Sequence, residues 1–170
     1  MGKVRGIPEA MVKLEKEIHA VKNRSLKGLI TVQAKIYNDM DNIPPKIPVD
    51  LENLRQSYYA VASSGHIKRG EHATFDNSRG DASTLRSDHR VALKFAKKAA
   101  VADGKARGPT IVMGFSAYYA EVVHEMYDSH FHKPVNWTRS GSGPGFFGTA
   151  VKNNVDFMRK VLRETVKIPK

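Results

Sequence analysis

Cysteine is absent from the 170 residues, and with it go disulfide frameworks, thiolate nucleophiles and thiolate metal sites. Tryptophan occurs once, at Trp137. No apolar run approaches the roughly twenty residues that a bilayer-spanning helix needs. The opening Met1-Gly2-Lys3-Val4-Arg5-Gly6 has no apolar leader core and no Ser or Thr of a myristoylation signal. These absences predict a chain that matures in a reducing cytoplasm, with no membrane partner. Acidic residues are scarce as well: 17 against 28 Lys and Arg, giving a formal charge of +11 and a pI near 9.9. That balance favours an anionic partner: nucleic acid, acidic protein or membrane surface. The length suits a single domain over residues 1 to 170 with one core.

Residues 7 to 43 carry the clearest helical signal. Ile7, Met11, Leu14, Ile18, Val21, Leu29, Val32, Ile36, Met40 and Ile43 recur at helical spacing, interrupted only by Ser25. Pro8 suits a first turn, and Pro44-Pro45 ends the helix because proline disfavours helical geometry in the residue before it. At 1.5 Å per residue such a helix reaches roughly 50 Å, more than a small core covers. Part of the stripe is therefore expected to meet another subunit, with Val32 and Ile36 as contact candidates.

The remainder, residues 48 to 166, reads as an α+β core: a small antiparallel sheet packed by helices. Asp50 is placed to cap one helical turn, with Asn53 three residues on. Residues 57 to 63 alternate as a strand, Tyr59 and Val61 against Tyr58, Ala60 and Ala62. Residues 64 to 107 form a charged region, first a loop to about 82, then a helix with Val91, Phe95, Ala99 and Ala102 as its apolar face. Residues 110 to 115 read as a second strand, and Tyr119, Val122, Val123 and Met126 as a third helix. A loop over 128 to 145 holds Trp137 and is a second interface candidate. A final helix runs over 147 to 166 on Val151, Val155, Met158 and Leu162.

Several patterns invite chemistry. His124, His130 and His132 lie near Glu125 and Asp128, but their spacing fits no standard zinc pattern, so a polar surface cluster is expected instead. Gly143-Pro144-Gly145-Phe146-Phe147-Gly148 matches G-x-G-x-x-G in letters only. A dinucleotide site needs further strand and an acidic residue beyond it, and one helix follows here. Phe146 and Phe147 are expected to staple that helix onto the sheet. No G-x-S-x-G elbow or isolated carboxylate pair is present, so no catalytic residue, metal or cofactor is assigned. Asp50 and Arg55 are read as holding the linker. Lys94, Lys97, Lys98, Lys105 and Arg107, with Lys68, Arg69, Arg79, Arg86 and Arg90 before them, form a basic stretch. It suits phosphate contact or acidic neighbours, without an RNP, KH or zinc-finger signature.

Three separated segments occur in a telling order: Pro48-Val49-Asp50 leading to Leu54-Arg55-Gln56-Ser57, then Tyr119-Ala120 ending in Val123-His124-Glu125, then Pro144-Gly145-Phe146-Phe147. Together they resemble the tail-completion, or head–tail joining (neck), proteins of long-tailed bacteriophages, over about residues 44 to 167. The resemblance implies a virion structural protein that is not an enzyme, assembled in the host cytoplasm. It implies a homo-oligomeric ring, sixfold like the tail tube, between a portal- or connector-side neck protein and the tail tube or tail terminator protein. Genomic DNA would pass through without specific binding. The chain departs from the shorter family pattern by the lengthened region 64 to 107 and by Leu51-Glu52 where many members have Thr-Gly. The alternative reading is a basic nucleic-acid-binding protein. A small hydrolase or nuclease lacks a site.

Overall fold

The long apolar stripe does build one continuous helix, α1, Ile7–Asn42. The computed structural model describes residues 7 to 49, 52 to 126 and 136 to 167. After α1 come a single helical turn α2 (Asn53–Gln56), strand β1 (Tyr58–Ala62), strand β2 (Ile67–Arg69) and helix α3 (Ala82–Arg107). Strand β3 (Ile111–Phe115), the short α4 (Ala120–His124), α5 (Phe146–Asn153) and α6 (Val155–Thr165) follow. The strands form an antiparallel sheet in the order β2-β1-β3, with Tyr58 opposite Phe115 and Ala62 opposite Ile111. This is the expected α+β class.

Alternation along β1 decides what each face of the sheet meets. Tyr58 and Ala60 pack with Val32, Ile36, Tyr37 and Met40 of α1 and with Phe146. Tyr59 and Val61 pack with Leu93, Ala96 and Ala100 of α3. The sheet is thus held between α1 on one side and α3 on the other. Tyr58 is the hub of the first side: its ring lies 4.8 Å from that of Tyr37 and 5.2 Å from that of Phe115. Gln33 Nε2 donates to its hydroxyl at 3.2 Å.

The structure corrects four expectations. Val32 and Ile36, read as subunit contacts, are each 3% exposed and belong to the chain's own core. A charge at either position would disrupt folding before it touched assembly. The apolar face expected on α3 points outward instead. Leu85, His89, Leu93, Ala96 and Ala100 are buried, at equally regular spacing, whereas Val91 and Phe95 are exposed. His89 explains the choice. Its Nε2 donates to the Gly70 carbonyl at 2.6 Å, and its Nδ1 lies 2.7 Å from Ser116 Oγ, so a polar side chain is satisfied inside. Gly104 adds to it, since a Cβ there would stand 2.5 Å from Ser63 Cβ.

The last helix is two, broken at Asn154, whose Nδ2 donates to Asp39 Oδ2 at 2.8 Å and to the Ala150 carbonyl at 2.9 Å. The stripe Val151, Val155, Met158 and Leu162 is only half-buried, because α6 lies along the outside of α1. Finally, the loop after residue 64 contains β2. Gly70 follows that strand at φ +90, a conformation that favours glycine, with the Tyr58 carbonyl 2.7 Å from where a Cβ would stand.

Burial pushes the Tyr58 phenol up to about 12, outweighing the Gln33 hydrogen bond and the nearby Arg69 charge. Tyrosine in the unfolded chain titrates near 10. The neutral phenol therefore contributes stability that is fully present below about pH 10 and is lost as pH rises towards about 12. That loss is on the order of 3 kcal/mol. Melting temperature should fall across this window, and Tyr58→Phe should make the fall shallower. An unchanged alkaline slope in the variant contradicts the assignment.

Candidate functional site

The three motif segments are built into one corner of the fold. In the first, Glu52 adopts a left-handed conformation at φ 60 and starts α2. Leu54 then drops into the core, and Ser57 Oγ donates back to the Leu54 carbonyl at 2.7 Å, closing the turn before β1. Arg55 points the other way and donates to Asp41 Oδ2 at 2.7 Å. The expected partner, Asp50, lies outside the described residues. Asn53 bonds the distant backbone of Asp76, at 2.7 and 3.1 Å, and makes no helix cap.

In the second segment, Ala117 and Ala120 are buried, Tyr119 and Val123 half-buried, and Tyr118 and Val122 exposed. Helix α4 lasts only to His124, and there the third segment joins. Gly145, at φ 67, donates its N–H to the His124 carbonyl at 2.8 Å. The His124 ring lies 5.2 Å from that of Phe146, its Nδ1 2.6 Å from Glu125 Oε1, and its Nε2 accepts from Gly148 N–H at 3.4 Å. These partners assign one tautomer, with the proton on Nδ1. Phe146 is fully buried and Phe147 half-buried, both edge-on to Phe115 of β3 at 5.5 and 6.0 Å. Pro144 stands half-buried just before the turn.

The linker before the first segment closes the corner. Lys46 N–H donates to the Gly141 carbonyl at 2.8 Å, Ser142 Oγ to the Ile47 carbonyl at 3.3 Å, and Gly143 N–H to the Lys46 carbonyl at 3.4 Å. Beside it opens a cavity of about 520 Å³, lined by Pro48, Val49, Leu54, Tyr119, Val123 and Trp137 among others. Its wall is mainly apolar. Sequence reading placed these residues in separate motifs and did not foresee that they share a cavity.

Asp41 and Arg139 were also missed. Arg139 donates to Asp41 Oδ1 at 2.7 Å and to the Asp41 carbonyl, so one carboxylate ties α1 to α2 and to the segment before Pro144. The only local signal was an Asp-x-Asp at a helix C-terminus. Among the described residues no three His, Asp or Glu gather as metal ligands, and His130, His132 and Asp128 lie outside them. No described helix is long and apolar enough to cross a membrane. Among the described residues the corner offers hydrogen-bonded turns and an apolar hollow.

No family model, curated protein or solved structure matches the chain.

Phe146→Ala should cost about 3–5 kcal/mol, as for a fully buried ring, and Phe147→Ala clearly less. Equal losses in denaturant unfolding, or no loss at Phe146, would contradict the packing described.

Proposed function

We propose that this chain is a structural subunit of a bacteriophage head–tail junction, assembled as a ring, sixfold like the tail tube, that joins the connector side of the neck to the tail. The observation that carries the reading is the meeting of the three motif segments: Gly145 on His124, His124 on Phe146, and Pro48 and Leu54 across one cavity from Tyr119. Segments that pack together as one unit are what a shared family scaffold requires, and chance matches scattered over a chain have no reason to meet. The role of such a subunit is geometric, matching one symmetric neighbour to another through interfaces. Its partners on this reading are further copies of itself, a portal- or connector-side neck protein, and the tail tube or tail terminator. It would reside in the virion.

A second reading, a nucleic-acid-binding protein, is favoured by the exposed basic residues of α3, among them Arg86, Arg90, Lys94, Lys97 and Lys98. Purified particles separate the two. Mass spectrometry should find the chain in virions at ring stoichiometry, and microscopy should place it at the neck. A chain confined to infected cells and missing from virions overturns the proposal. On the ring reading, DNA binding by the isolated chain is sequence-blind and falls steeply with salt, because it rests on phosphate neutralisation. Sequence-selective binding that survives physiological salt establishes the second reading.

A further inference from the structure

Two apolar surfaces have no partner among the described residues. The first is the N-terminal arm of α1. Helix α6 ends against α1 at Thr165, whose carbonyl accepts from Arg24 Nε at 3.1 Å and whose side chain abuts Gly28. Residues 9 to 19 of α1 are all exposed. They include Met11, Leu14 and Ile18, exposed by 56, 60 and 47%. The second is the outer stripe of α3, where Val91 and Phe95 are 50 and 66% exposed and Ala99 and Ala102 continue the line.

We propose that these are the two sides of one contact between copies: the α1 arm of one subunit lies along the outer stripe of α3 of the next. Charge selects this pairing. At 100° per residue, Glu15 and Glu17 stand on either side of the arm's stripe. Lys94, Lys98 and Lys105 run along one border of the α3 stripe. None of these five makes an ion pair or side-chain hydrogen bond among the described residues. The arm, with three Glu against two Lys over residues 7 to 20, therefore fits the most basic of the described helices.

Length agrees as well. Residues 7 to 20 span roughly 20 Å and residues 91 to 106 about the same. Ala99 and Ala102 let a second helix approach closely, while Phe95 supplies a large side chain for the gaps between Met11, Leu14 and Ile18. The contact joins two different faces, so it repeats head to tail and closes only as a ring or runs on as a filament. It rests on the ring reading for closure, but the contact itself needs no particle.

The natural lack of cysteine makes the test direct. One preparation carries Leu14→Cys and a second carries Phe95→Cys, with Lys160→Cys on the exposed side of α6 as a bystander. The preparations are mixed at high concentration and treated with a short thiol-specific crosslinker, after melting curves confirm that each variant folds. Mixed dimers of arm and stripe should form well above those of arm and bystander. Glu15→Lys with Glu17→Lys on the arm should lower the yield about tenfold, and Lys94→Glu with Lys98→Glu on the other preparation should restore it.

Yields no higher than the bystander's, or unaffected by charge reversal, overturn the contact. So does protection of the Phe95→Cys thiol by a DNA fragment but not by a second copy, which assigns the stripe to nucleic acid. Failure here with the chain still present in virions removes the contact and leaves the ring reading. Successful crosslinking with the chain absent from virions does the reverse.

Discussion

The C-terminal end of α1 is an electrostatic problem that the rest of the fold solves. A helix collects partial negative charge at that end, and cations in the last turn ordinarily offset it. Here the last turn has no basic residue and carries Asp39 and Asp41, both buried. Every compensating donor comes from outside that turn. Lys35 reaches both Asp39 oxygens at 2.7 Å from one turn back, and Asn154 adds a bond from the α5–α6 junction. Arg55 and Arg139 share Asp41. Burial alone would raise the Asp39 carboxyl, yet the bonds from Lys35 and Asn154 outweigh it and hold the group below its ordinary value. Removing one donor would leave a buried charge short of partners, which is far costlier than losing a surface ion pair. The convergence of α2, the segment before Pro144 and the α5–α6 break on one helix end is the structural consequence.

Period identified the elements but not always their orientation. Helix α3 carries two stripes at helical spacing on roughly opposite sides. Counting apolar letters favours Val91, Phe95, Ala99 and Ala102, and the fold buries the one that contains His89. A histidine counts against burial until both ring nitrogens have partners, and those partners, Gly70 and Ser116, are far away in sequence. The same limit applies to α1. Its stripe runs from Ile7 to Ile43 with one interruption, at Ser25, close to where α6 ends against Arg24 and Gly28. The letters on either side of it do not say which half is buried. The half with Val32 and Ile36 went inside and the half with Met11 and Leu14 stayed out. The break at Asn154 was hidden because apolar spacing runs on across it.

In the motif corner, the residues that carry the family resemblance are mostly those that shape the backbone. Leu54 and Phe146 fill core, Ser57 closes a turn, and Gly145 and His124 join two segments. Such roles are legible as turn chemistry and apolar placement. The clamp at Asp41 was not, because Arg55 and Arg139 reach it from 14 and 98 residues away. One clue was present. Two carboxylates at the wrong end of a long helix are a local conflict, and a foldable sequence resolves such conflicts through distant partners.

The α1 arm is a conflict that the described residues leave unresolved. Beyond Thr165 nothing described packs on it, so this stretch is held as helix only by its own backbone bonds, propagated from the packed half of α1. Exposed Met11, Leu14 and Ile18 add no stability there. The outer face of α3 has the opposite character: its helix is anchored by a buried stripe, so Val91 and Phe95 are presented on a rigid support. A weakly supported acidic arm and a rigid basic shelf form an asymmetric pair. Under the proposed contact, two lone subunits share a single arm and a single shelf. A neighbour that already holds several subunits in place raises their effective concentration and so strengthens each such contact.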